Sequence, residues 1–176
     1  MGKGAGAALM AATVRAALNA QEPASPAEQL AGAGRVVDRD LEATGIFVTV
    51  FHARLEVETG ALTFADAGHG LNLVVRADGT REQLRGSGLP LGLNFSTSRN
   101  NERATLEPGD TLVSFTDGLL DLHGGTLEAF EEIAELVAQH RDPSSIVDAV
   151  TALITEASAE DDVTVLAVHR AASAAN

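Results

Sequence analysis

Apolar side chains recur along this chain at two different spacings. Between Ala5 and Gln21, Met10, Val14 and Leu18 return every four residues among many alanines, which predicts a helix with one apolar side. The preceding Gly2-Lys3-Gly4 reads as a loop feeding that helix. A second helix is signalled at Ser25-Pro26-Ala27-Glu28. Ser25 can cap, Pro26 suits the first helical position, and Glu28 completes a capping box. Leu30, Val37 and Leu41 give this helix its apolar side, Gly32 and Gly34 weaken it, and Thr44-Gly45 ends it.

From Ile46 the spacing shortens to that of strands. Phe47 to Val57 is rich in β-branched and aromatic residues, Glu58-Thr59-Gly60 makes a turn, and Ala61 to Ala67 returns as a second strand. Gly68-His69-Gly70 breaks the pattern. Leu71 to Arg76 and Thr80 to Leu84 then flank a tight turn at Ala77-Asp78-Gly79, so the segment reads as one antiparallel meander. A loop from Gly86 to Asn101 surrounds Leu89-Pro90-Leu91-Gly92. Strands resume at Glu102 to Leu106 and Thr111 to Phe115, separated by the turn signal Glu107-Pro108-Gly109-Asp110.

Thr116-Asp117-Gly118 ends the last of these strands abruptly. Two helices are predicted next, Leu127 to Gln139 and Pro143 to Glu156, the second capped by Asp142. Asp161-Asp162 opens a final strand, Val163 to Val168, and Ala171 to Asn176 is a small-residue tail. Helices and strands are segregated along the chain, which indicates an α+β fold. No internal repeat and no dividing linker is evident.

Composition narrows the function classes. A chain of 176 residues with 45% hydrophobic content suits one domain with a sizeable core. With no Trp, no Tyr and six Phe, that core must be built from Leu, Val and Ala. Twenty-five acidic residues against 12 basic give a net charge of −13, which argues against nucleic acid and anionic membrane surfaces as partners. Cysteine is absent, which excludes disulfides, thiolate catalysis and zinc–thiolate sites. No apolar run approaches the roughly 20 residues of a membrane span, and no signal peptide opens the chain. Cytoplasmic localisation is expected.

Candidate chemistry lies in aspartates at strand ends. Asp117 follows the strand Thr111 to Phe115, and Asp161 and Asp162 precede the strand Val163 to Val168. If these strands are antiparallel neighbours, the carboxylates project from the same sheet edge. Carboxylates so gathered repel one another unless a cation neutralises them, and hard oxygen donors suit Mg²⁺ or Mn²⁺. Each feature also has a plain structural reading: Asp-Gly is a common turn dipeptide, and flanking aspartates deter edge pairing.

The ordered set of these segments resembles the PPM family of metal-dependent serine/threonine protein phosphatases (type 2C-like), in its bacterial SpoIIE/RsbU-like branch. Met1-Gly2-Lys3-Gly4 through Leu18 resembles the end of that family's Gly-Asp-x-x-Gly-[His/Lys]-Gly motif and its following helix. Phe47-Val48-Thr49 through Ala67-Gly68-His69 resembles the central hairpin. Leu89-Pro90-Leu91-Gly92, Pro108-Gly109-Asp110, Phe115-Thr116-Asp117-Gly118 and Asp161-Asp162-Val163-Thr164 follow in order. The Gly70-Leu71-Asn72 after His69 lacks the prolines common in this branch.

The resemblance implies two packed antiparallel β-sheets flanked by helices, an α-β-β-α sandwich over residues 1–170, with 171–176 as a flexible tail. It implies a two-metal site for Mn²⁺ or Mg²⁺ that activates water against a phosphoserine or phosphothreonine. Asp117 and Asp161 are carried over as metal ligands. Asp162, Gly2 and Gly118 are groups beside those ligands. His69 reads as a structural hydrogen-bonding group, Asp121 as local structure, and His52, His123, His140 and His169 as surface or packing residues. The implied substrate is a phosphorylated anti-anti-sigma factor of the STAS type.

The family motif also has a metal-bridging Asp two residues ahead of the position of Met1. The expectation is therefore a domain truncated at its N-terminus, lacking that ligand and the first strands of both sheets. Either the complete protein is an ordinary phosphatase, or the chain is a catalytically impaired module that docks a signalling partner. Open sheet edges could also pair between copies of the chain, as in a homodimer.

Overall fold

The computed structural model describes residues 4–22, 24–93, 99–140, 142–157 and 161–172. The chain forms two compact units, each made from two stretches of sequence. One comprises Met1–Gly70 and Arg85–Ala104, the other Leu71–Leu84 and Thr105–Asn176. The fold is α+β with two antiparallel sheets.

The first unit begins with α1 (Ala5–Asn19) and α2 (Pro26–Thr44). The α2 start is built as its sequence signals: Ser25 Oγ accepts from Glu28 N, and the Glu28 carboxylate accepts from Ser25 N at 2.9 Å. Val14 and Ala17 of α1 pack on Ala33, Val37 and Leu41 of α2. Gly34 is buried beside Asp38, Leu91 and Arg99, so one of the residues that lowers helix propensity also allows close packing. Strands β1 (Val50–Leu55) and β2 (Ala61–Ala67) pair antiparallel from Val50↔Ala67 to Leu55↔Leu62, and β5 (Glu102–Thr105) lies on the other side of β2. Leu30 and Ala27 of α2 cover Ala65 and Ala67.

The second unit holds a four-stranded sheet of β3 (Asn72–Val75), β4 (Arg81–Gln83), β6 (Thr111–Phe115) and β7 (Val165–His169), in the order β4-β3-β6-β7. Helix α3 (Asp117–Asp121) follows β6, then α4 (Leu127–Gln139) and α5 (Pro143–Ala157). The core sets Val113 and Phe115 against Phe130, Ile133 and Val137 of α4 and Ile146 of α5. Asp142 caps α5 by accepting from Ser145 N at 3.0 Å, and its hydrogen bonds to Ser144 and Ser145 push its pKa down.

Three expectations change. The single meander is not formed: β2 and β3 belong to different sheets. At the break, the buried Asp66 carboxylate accepts from His69 N at 2.6 Å and Gly70 N at 2.9 Å, turning the chain out of β2. Gly68 takes φ 75 there, and a Cβ on it would press into the Pro90 ring. Second, a short helix that the sequence did not signal begins at Asp117, where the strand was expected simply to end. Third, several strands are shorter than their apolar runs: Val48 makes only an isolated bridge to Leu91. Of the tail, residues 173–176 lie outside the described residues, as does Gly2.

Among the described residues, no helix is long and apolar enough to cross a membrane.

Candidate functional site

The end of β6 and the start of β7 meet because the two strands run antiparallel, with Phe115 opposite Val165. Pairing continues one step past the regular ladder, where Thr116 N donates to Thr164 O at 3.1 Å. Thr116 Oγ1 accepts from Thr164 N at 3.0 Å and reaches Asp162 O at 3.4 Å. Asp117 is the next residue. It is exposed, at the first position of α3, and α3 is anchored by the fully buried Leu119.

Gly118 packs directly on the facing segment. A Cβ there would overlap the Asp162 carbonyl oxygen, so only glycine lets α3 begin this close to Asp162. On the facing segment, Asp161 Oδ1 accepts from Asp162 N at 2.9 Å. Asp161 is half-buried and Asp162 exposed. The antiparallel condition set by the sequence is thus met: Asp117 and the Asp161-Asp162 pair stand at the same end of the four-stranded sheet.

Their donor chemistry fits a hard divalent cation, since carboxylate oxygens are the ligands such ions take. Their number does not complete a site. Among the described residues, no group of three or more His, Asp or Glu is arranged to hold a metal ion.

The other sequence candidates have their own local settings. Gly4 caps α1 with φ 90, in the first unit. Asp121 is exposed at the end of α3. Three of the histidines set aside as surface or packing residues have definite partners. His52 Nε2 lies 2.9 Å from Gln29 Oε1, His123 Nδ1 2.9 Å from Glu132, and His169 Nδ1 2.9 Å from Thr111 Oγ1. Burial, aided by Arg54, pushes the His52 pKa down.

Three polar residues with no site role signalled in the sequence shape the backbone. Asp66 turns the chain between sheets, and Thr116 ties β6 to the Asp162 segment. Asp110 (3% exposed) accepts from Arg76 Nη1 at 2.7 Å, Ala77 N at 2.9 Å and Glu107 N at 2.9 Å. Its Pro-Gly-Asp turn signal was visible, but its partner at Arg76 was not. Asp66 sits inside an apolar strand pattern, and its only cue is the Gly68-His69-Gly70 that follows.

The family model for Stage II sporulation protein E (SpoIIE) matches residues 1–171. The chain is similar to the phosphoserine phosphatase RsbU of Bacillus subtilis (strain 168), 29% identical over 145 residues that cover 80% of this chain and 43% of that protein. It superposes on the RsbU and RsbW domains of a Mycobacterium tuberculosis protein with a TM-score of 0.84 and 28% identity, covering 98% of this chain and 50% of the other. It also shares its fold with the catalytic domain of the serine threonine protein phosphatase PstP, solved in complex with 2 manganese ions, with a TM-score of 0.68, 15% identity, and coverage of 95% and 83%. The chain spans half or less of the length of the first two.

Proposed function

Because the chain belongs to the SpoIIE family of PP2C-type phosphatases, we propose that it is a metal-dependent phosphoserine/phosphothreonine protein phosphatase domain of bacterial signalling. The observation that carries this reading is the antiparallel β6–β7 pairing that brings Asp117 and Asp161 to one sheet end. Residues 1–170 constitute the domain, and its home is the cytoplasm.

Asp117 and Asp161 would hold Mn²⁺ or Mg²⁺. Gly118 lets the two segments approach, and Asp162 stands beside the ligands; Gly2, outside the described residues, is assigned beside them by the motif alone. When bound, the cation supplies charge stabilisation and an activated water for in-line attack on phosphorus. The carboxylates themselves concentrate negative charge that a cation relieves, so metal and site stabilise each other. The substrate is a phosphorylated STAS-type regulator; support comes from the likeness to a phosphoserine phosphatase, RsbU. A homodimer through open strand edges goes with this reading.

A second reading is favoured by one observation: among the described residues, no set of three metal-binding side chains converges. On that reading the chain docks a signalling partner without catalysis.

The test is phosphate release from a phosphoserine STAS protein, with and without Mn²⁺. It is run on this chain and on one extended upstream of Met1 by a strand bearing the motif aspartate. Mn²⁺-dependent release by either supports the phosphatase. Binding of the STAS protein by both, with no release and no Mn²⁺ dependence, puts the docking module in its place.

A further inference from the structure

Thr116 stands where a strand must become a helix within one residue. In a regular antiparallel ladder its carbonyl would accept from Thr164 N–H. Here that carbonyl instead accepts from Leu119 N at 3.1 Å and starts α3. The hydroxyl takes over the ladder position, accepting from Thr164 N at 3.0 Å, while Thr116 N still donates to Thr164 O at 3.1 Å. The same oxygen is 3.4 Å from Asp162 O, a weaker contact that needs the hydroxyl proton. One side chain therefore lets α3 begin at Asp117 without releasing the segment that carries Asp161 and Asp162.

We propose that Thr116 is a positioning residue whose hydroxyl fixes the Asp161-Asp162 segment against the end of β6 and so sets its spacing from Asp117. The functional consequence rests on the metal-dependent phosphatase reading above. Valine at this position keeps the shape and loses both hydrogen bonds, leaving Thr164 N–H to compete with Leu119 N–H for one carbonyl. Serine keeps the hydroxyl.

The test compares Thr116→Val and Thr116→Ser with the parent chain, in the upstream-extended form as well as the form described. Mn²⁺ affinity is read from the loss of the free-ion electron paramagnetic resonance signal, and Thr164 amide protection from hydrogen exchange. Thr116→Val is expected to lose Thr164 protection and to bind Mn²⁺ about 10- to 100-fold more weakly, the usual effect of removing a group that orients a ligand. Thr116→Ser should restore both. Unchanged Mn²⁺ affinity in a folded Thr116→Val protein overturns the proposal. If that variant does not fold, the parent decides: Mn²⁺ should slow exchange at Thr164, and no slowing in a Mn²⁺-bound parent overturns it equally. A parent that takes up no Mn²⁺ in either form overturns the metal reading and the functional half of this one, while Thr164 exchange in Thr116→Val still decides whether the hydroxyl holds the segment.

Discussion

Ser114 Oγ donates to Asn72 Oδ1 at 2.7 Å across the β3–β6 pair, and Asn72 is fully buried. Among the described residues, Asn72 Nδ2 has no hydrogen-bond partner. A buried amide is thus half satisfied at the first residue of β3, beside the apolar Leu73, Val74 and Val75. Removing one partner of such a pair costs the desolvation of the group left behind, whereas removing both can be close to neutral. Ser114→Ala is expected to destabilise the fold by about 1–3 kcal/mol. Asn72→Leu combined with Ser114→Val should cost less than the sum of the single changes. Urea unfolding of the four proteins in a double-mutant cycle measures the difference, and strict additivity would refute the coupling.

Asp110 makes a larger contribution through a different geometry. Its carboxylate satisfies two backbone N–H groups and the Arg76 guanidinium while almost wholly shielded from water. Arg76 also bonds Glu82 and the Thr105 carbonyl. Burial alone would lower the Arg76 pKa, but the bonds to Asp110 and Glu82 outweigh it and hold the pKa above its usual value. Asp110→Ala leaves two backbone amides without their acceptor and Arg76 with one carboxylate in place of two, and should cost about 3–5 kcal/mol in denaturant unfolding. A loss under about 1 kcal/mol would mean the network is dispensable.

Asp117→Asn and Asp161→Asn remove charge at the sheet end with almost no change in shape. On the proposed metal-dependent phosphatase reading, each is expected to leave the melting temperature within a few degrees and to lower Mn²⁺-dependent phosphate release at least about 100-fold, because a carboxylate proposed to hold the cation loses its charge. Chelation of the parent with EDTA should abolish release, and Mn²⁺ should restore it. Full activity of Asp117→Asn would remove Asp117 from the metal site.

Gly118→Ala places a methyl group against the Asp162 carbonyl, a backbone atom that cannot rotate away. The expected cost is about 1–3 kcal/mol of stability. Activity should fall further than the folded fraction does, because the strain is relieved by moving α3 away from the Asp162 segment. A melting curve paired with specific activity per folded molecule separates the two effects.

His52 gives the protein a pH-dependent stability above the range of its carboxylates. Burial, then Arg54, holds the imidazole below its usual pKa of 6.5, so the folded chain takes up this proton less readily than the unfolded chain. The associated stability is full above pH 6.5 and is lost as pH falls through the folded-state value. Glu28 and Asp142, whose pKa values are lowered by bonds to serines, act only below their ordinary values of 4.5 and 3.8. Melting temperature should therefore fall between pH 7.5 and 5.5, and His52→Gln should flatten that slope. An unchanged slope would assign the effect to another group.

Much of the local structure was legible before folding. The capping box at Ser25 and Glu28, the Asp142 cap and the span Leu127–Gln139 agree with their sequence signals. These signals act between residues a few positions apart, where helical geometry fixes what meets what. The sheet switch at Gly68-His69-Gly70 was not legible, because two strands read the same whether they pair with each other or with distant partners. The choice is made by Asp66 turning the backbone and by the pairing of β3 with β6.

Apolar period and turn chemistry are local properties, so the α+β class, the starts of α2, α4 and α5 and the nearness of Asp117 and Asp161 to the ends of β6 and β7 follow from the sequence, while the five-residue α3 does not. That those ends meet is a matter of long-range pairing. Thr116 and Asp162 lie 46 positions apart, and no periodic signal reaches that far. Antiparallel pairing of β6 with β7, a glycine small enough to let α3 approach, and a hydroxyl substituting for a backbone carbonyl bring the two aspartate segments together.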